Sequence, residues 1–246
     1  MGSINTSLSE NAGVQKMVHG ISHDMGAPLR AVVQLSQMLK KRMADRLDER
    51  ESYWLQLIEE SGSHAQKMIE ALLIYSRLTT QRKPDEPFLI KEIVEQAICE
   101  LNSQIEEGST SIKIEGEWFE FTGCEEQWLL MFTSLIKNAL LYQPKDIDHK
   151  PCIIIRSKKI DGQIQISVED NGIGVQENLW SVLTTPFKRM QSEEDYPGIG
   201  MGLTYSERVA ELHGGSLSIG NSSLGGMSVT YLEASSEKFV GSFRNG

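Results

Sequence analysis

His23 stands beside Asp24 in the stretch Ile21-Ser22-His23-Asp24-Met25-Gly26-Ala27-Pro28-Leu29-Arg30. An imidazole next to a carboxylate is material for nucleophilic or acid–base chemistry, and equally a surface pair on a helix. Three later clusters carry chemistry of another kind. Asn138, in Lys137-Asn138-Ala139, could present a carbonyl oxygen to a hard cation such as Mg²⁺. Asp170, in Asp170-Asn171-Gly172-Ile173-Gly174, follows a strand-like run, so its carboxylate could accept a hydrogen bond from an exocyclic amine such as that of adenine. Gly172 and Gly174 would let the backbone approach a flat ring closely. Gly198, Gly200 and Gly202 alternate just before a helical pattern and would leave N–H groups free for phosphates. No strand runs directly into that repeat, which argues against a dinucleotide fold and a P-loop. Singly, each cluster also reads as a solvent-facing side chain or an ordinary glycine turn.

The elements that must hold these groups follow from periodicity. Val14, Val18, Ile21, Met25, Val32, Leu35 and Leu39 keep four-three spacing, with Pro28 in one slot, so a helix over about 14–46 carries a heptad seam and leaves His23 off it. Pro28 removes the helical partner of the Asp24 carbonyl, and a bend is expected there. Asp48 and Glu51 form a capping-box signal for a second helix, with Trp54, Ile58, Ser61, Ala65, Met68, Leu72 and Tyr75 on its seam. Such a hairpin cannot cover both seams alone, and a four-helix bundle made with a second copy is the economical solution. Residues 79–87 contain Pro84 and Pro87 with mixed charges and read as a linker. Helices are expected at 90–106, 125–142 and 201–212. Strands are expected at 111–114, 118–122, 152–157, 163–168, 216–219 and 227–232, with a hairpin at Asp161-Gly162. Strands segregated from helices imply an α+β two-layer sandwich with helices on one face of a mixed sheet. Thr185 to Met190 and the acidic stretch after them read as a mobile lid anchored by Phe187, with Lys188 and Arg189 placed to screen phosphate charge.

Composition narrows the classes. The 246 residues carry 24 Lys plus Arg against 34 Asp plus Glu, a formal net charge of -10, which argues against a broad grip on nucleic acid or anionic membrane. Cys99, Cys124 and Cys152 are scattered, without CxxC spacing, and fit small core residues in a reducing compartment. No apolar run reaches membrane-spanning length, so a cytoplasmic chain is expected.

Taken together, the order and spacing of these clusters resemble the transmitter core of two-component sensor histidine kinases, whose ATP-binding domain is of the gyrase, Hsp90, histidine-kinase and MutL (GHKL) type. Ser22-His23-Asp24 through Leu29 resembles the phospho-acceptor box. Asn138-Ala139 resembles part of the N box, Asp170-x-Gly172-x-Gly174 the G1 box, Phe187 the F box, and Gly198-x-Gly200-x-Gly202 the G2 box. Arg30-Ala31-Val32 and Ala71 to Arg77 are most similar to the phytochrome-like subgroup. The resemblance implies residues 1–80 as a dimerisation and phosphotransfer hairpin, 81–88 as linker, 89–233 as the catalytic ATP-binding domain and 234–246 as a loose tail.

It also implies a reaction: His23 takes the γ-phosphoryl group of ATP and passes it to an aspartate of a response-regulator receiver domain. Asp24 would orient the imidazole and Asn138 would hold Mg²⁺. Asp170 would read adenine, with Gly172 and Gly174 beside it. Tyr142, Phe187, Lys188, Arg189, Gly198, Gly200 and Gly202 would complete the nucleotide site. The implied partners are a second copy, the receiver domain and an upstream sensor domain or protein. Three positions depart from the family pattern: Ser134 where an asparagine is common, Leu141 where many members have lysine, and Ala27 where dual-function members carry Thr, Asn or Gln. Ala27 implies poor phosphatase activity. Ser134 and Leu141 favour the alternative of a nucleotide-binding scaffold without phosphotransfer.

Overall fold

The computed structural model describes residue 20 and residues 24–80 and 85–234; His23 and the tail from 235 lie outside them. The chain forms two compact units, Met1–Arg82 and Lys83–Gly246.

In the first unit, helix α1 covers residues 24–42 and continues through Pro28, and α2 spans Glu49–Thr80. The capping box is present in both directions: Glu51 N–H donates to Asp48 Oδ1 (2.7 Å), and Asp48 N–H donates to Glu51 Oε2 (3.0 Å). Small residues permit the close helix–helix approach. A Cβ on Gly62 would lie 2.6 Å from Val33 Cγ2, so this glycine, unfavourable for a helix interior, admits the Val33 side chain. Gln37 Nε2 donates to Glu59 Oε1 across the same pair (2.8 Å). The buried side chains of this unit are Val33, Ser36, Ala71 and Leu78, while the seam residues Met25, Val32, Leu35, Leu39, Trp54 and Ile58 are exposed.

The second unit is a five-stranded mixed sheet in the order β2-β4-β5-β7-β6, with helices on one face. Its strands are β2 (Ser111–Gly116), β4 (Cys152–Ile160), β5 (Gln163–Asp170), β6 (Gly215–Asn221) and β7 (Met227–Glu233). On β5, buried Ile164, Ile166, Val168 and Asp170 alternate with half-buried polar residues, as a sheet covered on one face requires. Asp161 and Gly162 both take positive φ (51° and 82°), the conformation of the expected two-residue β4–β5 turn. β2 pairs with β4 in parallel, so the segment between them forms a crossover that carries α5 (Glu125–Leu141). α5 packs against α3 (Ile90–Glu100), α6 (Gly202–Leu212) and β5.

Three details differ from expectation. The helix predicted over 90–106 breaks at buried Leu101 (φ -101°, ψ 8°) and resumes as α4 (Asn102–Glu107). From Glu86 the stretch read as linker is a strand, β1 (Glu86–Leu89). It pairs antiparallel with β3 (Glu120–Gly123) in a separate two-stranded sheet, outside the main one. That sheet is seated by Phe121, whose ring meets the edge of fully buried Trp128 at 5.0 Å. Trp128 in turn contacts Phe132, Tyr231 and His213.

Candidate nucleotide site

α5 is anchored by one apolar face, from Trp128 to Ala139, and Glu125 and Glu126 in its first turn suit the helix dipole. That anchoring leaves Asn138 half-buried, facing the start of α6. A Cβ on Gly202 would lie 3.2 Å from Asn138 Nδ2 and 3.3 Å from Oδ1, so the amide rests where only glycine leaves room.

Asp170 ends β5 and is 6% exposed. Its Oδ1 accepts from the backbone N–H of Gly172 (2.8 Å) and of Met227 (3.1 Å). Among the described residues, Oδ2 has no hydrogen-bond partner, leaving it free to face a ligand. Burial pushes the Asp170 carboxyl above the ordinary aspartate range, and the two N–H donors oppose that shift. Two glycines form the cradle around it. A Cβ on Gly226 would fall 2.2 Å from Asp170 Oδ1, and one on Gly172 would fall 2.3 Å from the Tyr142 carbonyl. That carbonyl accepts from Ile173 N–H (2.9 Å), so the glycine turn after β5 is tied to the end of α5. Asn171 pins the turn from the other side, donating to the Lys150 carbonyl and accepting from Cys152 N–H.

The segment from Thr185 to Met201 connects these parts. Phe187 is half-buried at φ 61°, a left-handed conformation uncommon for a non-glycine residue. It lies against Gly200, where a Cβ would sit 3.0 Å from the Phe187 carbonyl carbon and 2.8 Å from the Lys188 oxygen. Gly200 itself has φ 76° and Gly174 φ 62°. Leu141, the position where a lysine is common in the resembled family, is 3.9 Å from where a Gly198 Cβ would be. Of the basic residues named above, Lys188 is exposed, whereas Arg189 is committed inside the lid. The Arg189 guanidinium donates to the carbonyls of Ser192 (3.3 Å) and Tyr196 and pairs with Glu193 (3.7 Å).

The structure thus brings together Asn138, Tyr142, Asp170, Gly172, Phe187, Gly198, Gly200 and Gly202 in one unit. Asp24 is exposed on α1 in the other. Sequence reasoning missed Gly226 and the Met227 N–H, which complete the Asp170 cradle; the Gly225-Gly226 pair just before β7 was the available signal. Among the described residues no cluster of three or more His, Cys, Asp or Glu is arranged to hold a metal. A cation here would depend on the Asn138 oxygen together with ligand oxygens, a donor set that suits Mg²⁺.

Residues 123–236 match the family described as histidine kinase-, DNA gyrase B- and HSP90-like ATPase, and residues 14–81 match the His Kinase A phospho-acceptor domain. Phytochrome-like protein Cph1 of Synechocystis is 28% identical over 207 residues, covering 84% of this chain and 27% of that protein. Histidine protein kinase DivJ of Caulobacter vibrioides is 26% identical over 214 residues, covering 85% of this chain and 35% of DivJ. Full-length ShkA, solved in complex with AMPPNP, superposes with a TM-score of 0.63 at 20% identity, over 89% of this chain and 45% of that one. The chain belongs to the histidine kinases, with a phospho-acceptor domain followed by a GHKL-type ATPase domain. It spans about a quarter of the length of its phytochrome-like relatives.

Proposed function

We propose that this chain is the kinase core of a two-component sensor and that His23 is phosphorylated from ATP. The observation that carries the reading is Asp170: a buried carboxylate with one oxygen fixed by backbone N–H groups and the other free at the floor of a glycine cradle. That arrangement suits an adenine amino group. Asn138, beside Gly202, is the side chain suited to hold Mg²⁺, which when bound with ATP neutralises phosphate charge.

In the reaction an imidazole nitrogen of His23 bonds to the γ-phosphorus, and the bond from that phosphorus to the β–γ bridging oxygen breaks. ADP leaves with the electron pair. The attacking nitrogen is the unprotonated one of a neutral imidazole, whose lone pair is available. Asp24 is the adjacent group that would orient the ring and balance positive charge as it forms. Tyr142, Phe187, Lys188, Gly198 and Gly200 would surround the nucleotide, with Arg189 acting through the lid. Because the nucleotide residues and His23 belong to different units, the stretch between Thr80 and Glu86 must let one reach the other. Residues 1–80 would serve as the dimerisation and phosphotransfer hairpin, 81–85 as the joint, 86–233 as the catalytic domain with β1 at its start, and 234–246 as a tail.

The phosphoryl group would then pass to a receiver-domain aspartate of a response regulator, with input from a sensor domain or protein. Two copies would pair through the exposed hairpin seam. Among the described residues no helix is long and apolar enough to cross a membrane, which accords with a cytoplasmic setting.

Incubation with γ-labelled ATP and Mg²⁺ tests the reading. Acid-labile, base-stable label is expected on the wild type and not on His23→Gln. Nucleotide binding without label would instead favour the scaffold alternative, which draws on apolar Leu141 beside Gly198.

A further inference from the structure

Four contacts tie the segment before Pro197 to the end of α5, through residues that none of the family boxes contains. Lys145 Nζ lies 2.7 Å from Asp195 Oδ1 and 5.7 Å from the centroid of the Tyr196 ring. The Tyr196 ring stands 5.4 Å from that of Tyr142, the planes inclined at 36°. The Tyr196 hydroxyl donates to the Gln143 carbonyl (3.3 Å).

Both sides of this junction are braced. On the lid side, Ser192 Oγ donates to Asp195 Oδ2 (2.8 Å), and Arg189 holds the Ser192 and Tyr196 carbonyls. On the α5 side, Gln143 Nε2 donates to the Ala139 carbonyl (2.5 Å), and His149 Nε2 meets Gln143 Oε1 (2.7 Å). The position matters: Asp195 and Tyr196 directly precede Pro197-Gly198, and Lys145 lies just past the C-terminal end of α5, the helix that carries Asn138. Movement at this junction must therefore move the glycine segment that borders Asn138.

We propose that Lys145, Asp195 and Tyr196 form a clasp that closes the lid on α5, and that opening of this clasp sets the rate of nucleotide release. The inference rests on the nucleotide site proposed above. Lys145, Asp195 and Tyr196 are positioning residues, acting through the lid. The ion pair is exposed on both sides, so its share is modest, whereas the half-buried ring contact contributes more.

The test is stopped-flow release of a fluorescent ADP analogue from the full chain, with hydrogen exchange of residues 187–200 read in parallel. Tyr196→Ala should accelerate release by about five- to tenfold. Lys145→Asp or Asp195→Lys should each do so by about threefold, and the double exchange should restore the wild-type rate. A purely structural effect would not be rescued by swapping the charges. Unchanged release in all variants of a protein that binds nucleotide would overturn the clasp and leave the site reading intact. If the wild type binds no nucleotide, the site reading fails. The lid contact is then judged by exchange alone, where unaltered protection of 187–200 in Tyr196→Ala refutes it.

Discussion

In residues 24–80, Met25, Leu35, Met38 and Trp54 are half or more exposed, and the buried apolar side chains are Val33, Ala71 and Leu78. In residues 85–234 the placement is reversed. Trp128, Phe132, Ile136 and Tyr231 are fully buried, and the exposed large apolar residues, such as Ile147 and Ile160, are scattered. Full burial of a Leu or Met side chain supplies about 1.5–3 kcal/mol, and these half-exposed residues forgo a good part of it. The second unit therefore holds its own core. The hairpin joins its helices through small residues and keeps its large ones for a surface that a second hairpin can cover.

The largest way to break this contrast is to remove the centre of the self-sufficient core. Trp128→Ala should destabilise residues 85–234 by about 3–5 kcal/mol, read as a fall in urea midpoint. Unchanged unfolding would mean that the aromatic cluster does not carry this unit. A smaller effect is expected at the hairpin surface. Leu35→Glu combined with Trp54→Glu should weaken self-association by roughly a hundredfold in sedimentation while the nucleotide unit keeps its melting profile. An undiminished dimer would place the interface elsewhere.

The smallest sharpens the contrast by pH. His213 lies between Trp128 and Gly123, with Nε2 2.9 Å from Gln127 Oε1. Burial holds its pKa below the ordinary histidine value of 6.5, against a slight opposing pull from Asp85. Above pH 6.5 neither state binds this proton, and the stabilisation is fully present. As pH falls from 6.5 toward the lowered folded value the unfolded chain takes up a proton first, and stability is lost. Thermal melts should show that decline in the unfolding of residues 85–234, and His213→Gln should flatten it. An equal slope in the variant would assign the decline to other groups.

What the sequence disclosed was chiefly local. The Asp48–Glu51 box, the Asp161-Gly162 turn and the alternation of β5 are properties of neighbouring residues, and each is present as read. The glycine repeats were legible for the same reason, since spacing alone marks them. The pairing of β1 with β3 was not, because Phe88 meets Phe121 only through tertiary packing. Gly226 escaped notice because its role is set by Asp170, far away in the chain. Arg189 was read as a phosphate-facing cation, yet the lid carbonyls that occupy it become neighbours only when residues 189–196 fold back.

The parallel pairing of β2 with β4 also sets an order of assembly. β4 and β5 meet across a two-residue turn, so Asp170 can be placed early by a contact local in the chain. Joining Ser111 to Cys152 must close a loop that contains all of α5, and the entropy of that closure delays it. Asn138 and Asp170 would then reach their shared site at different times during refolding. Pulse-labelled hydrogen exchange should find β4 and β5 amides protected before those of β2, and simultaneous protection would refute the order. Until the crossover closes, the chain would hold Asp170 in place at the end of β5 while α5, with Asn138, is still spanned by an open loop.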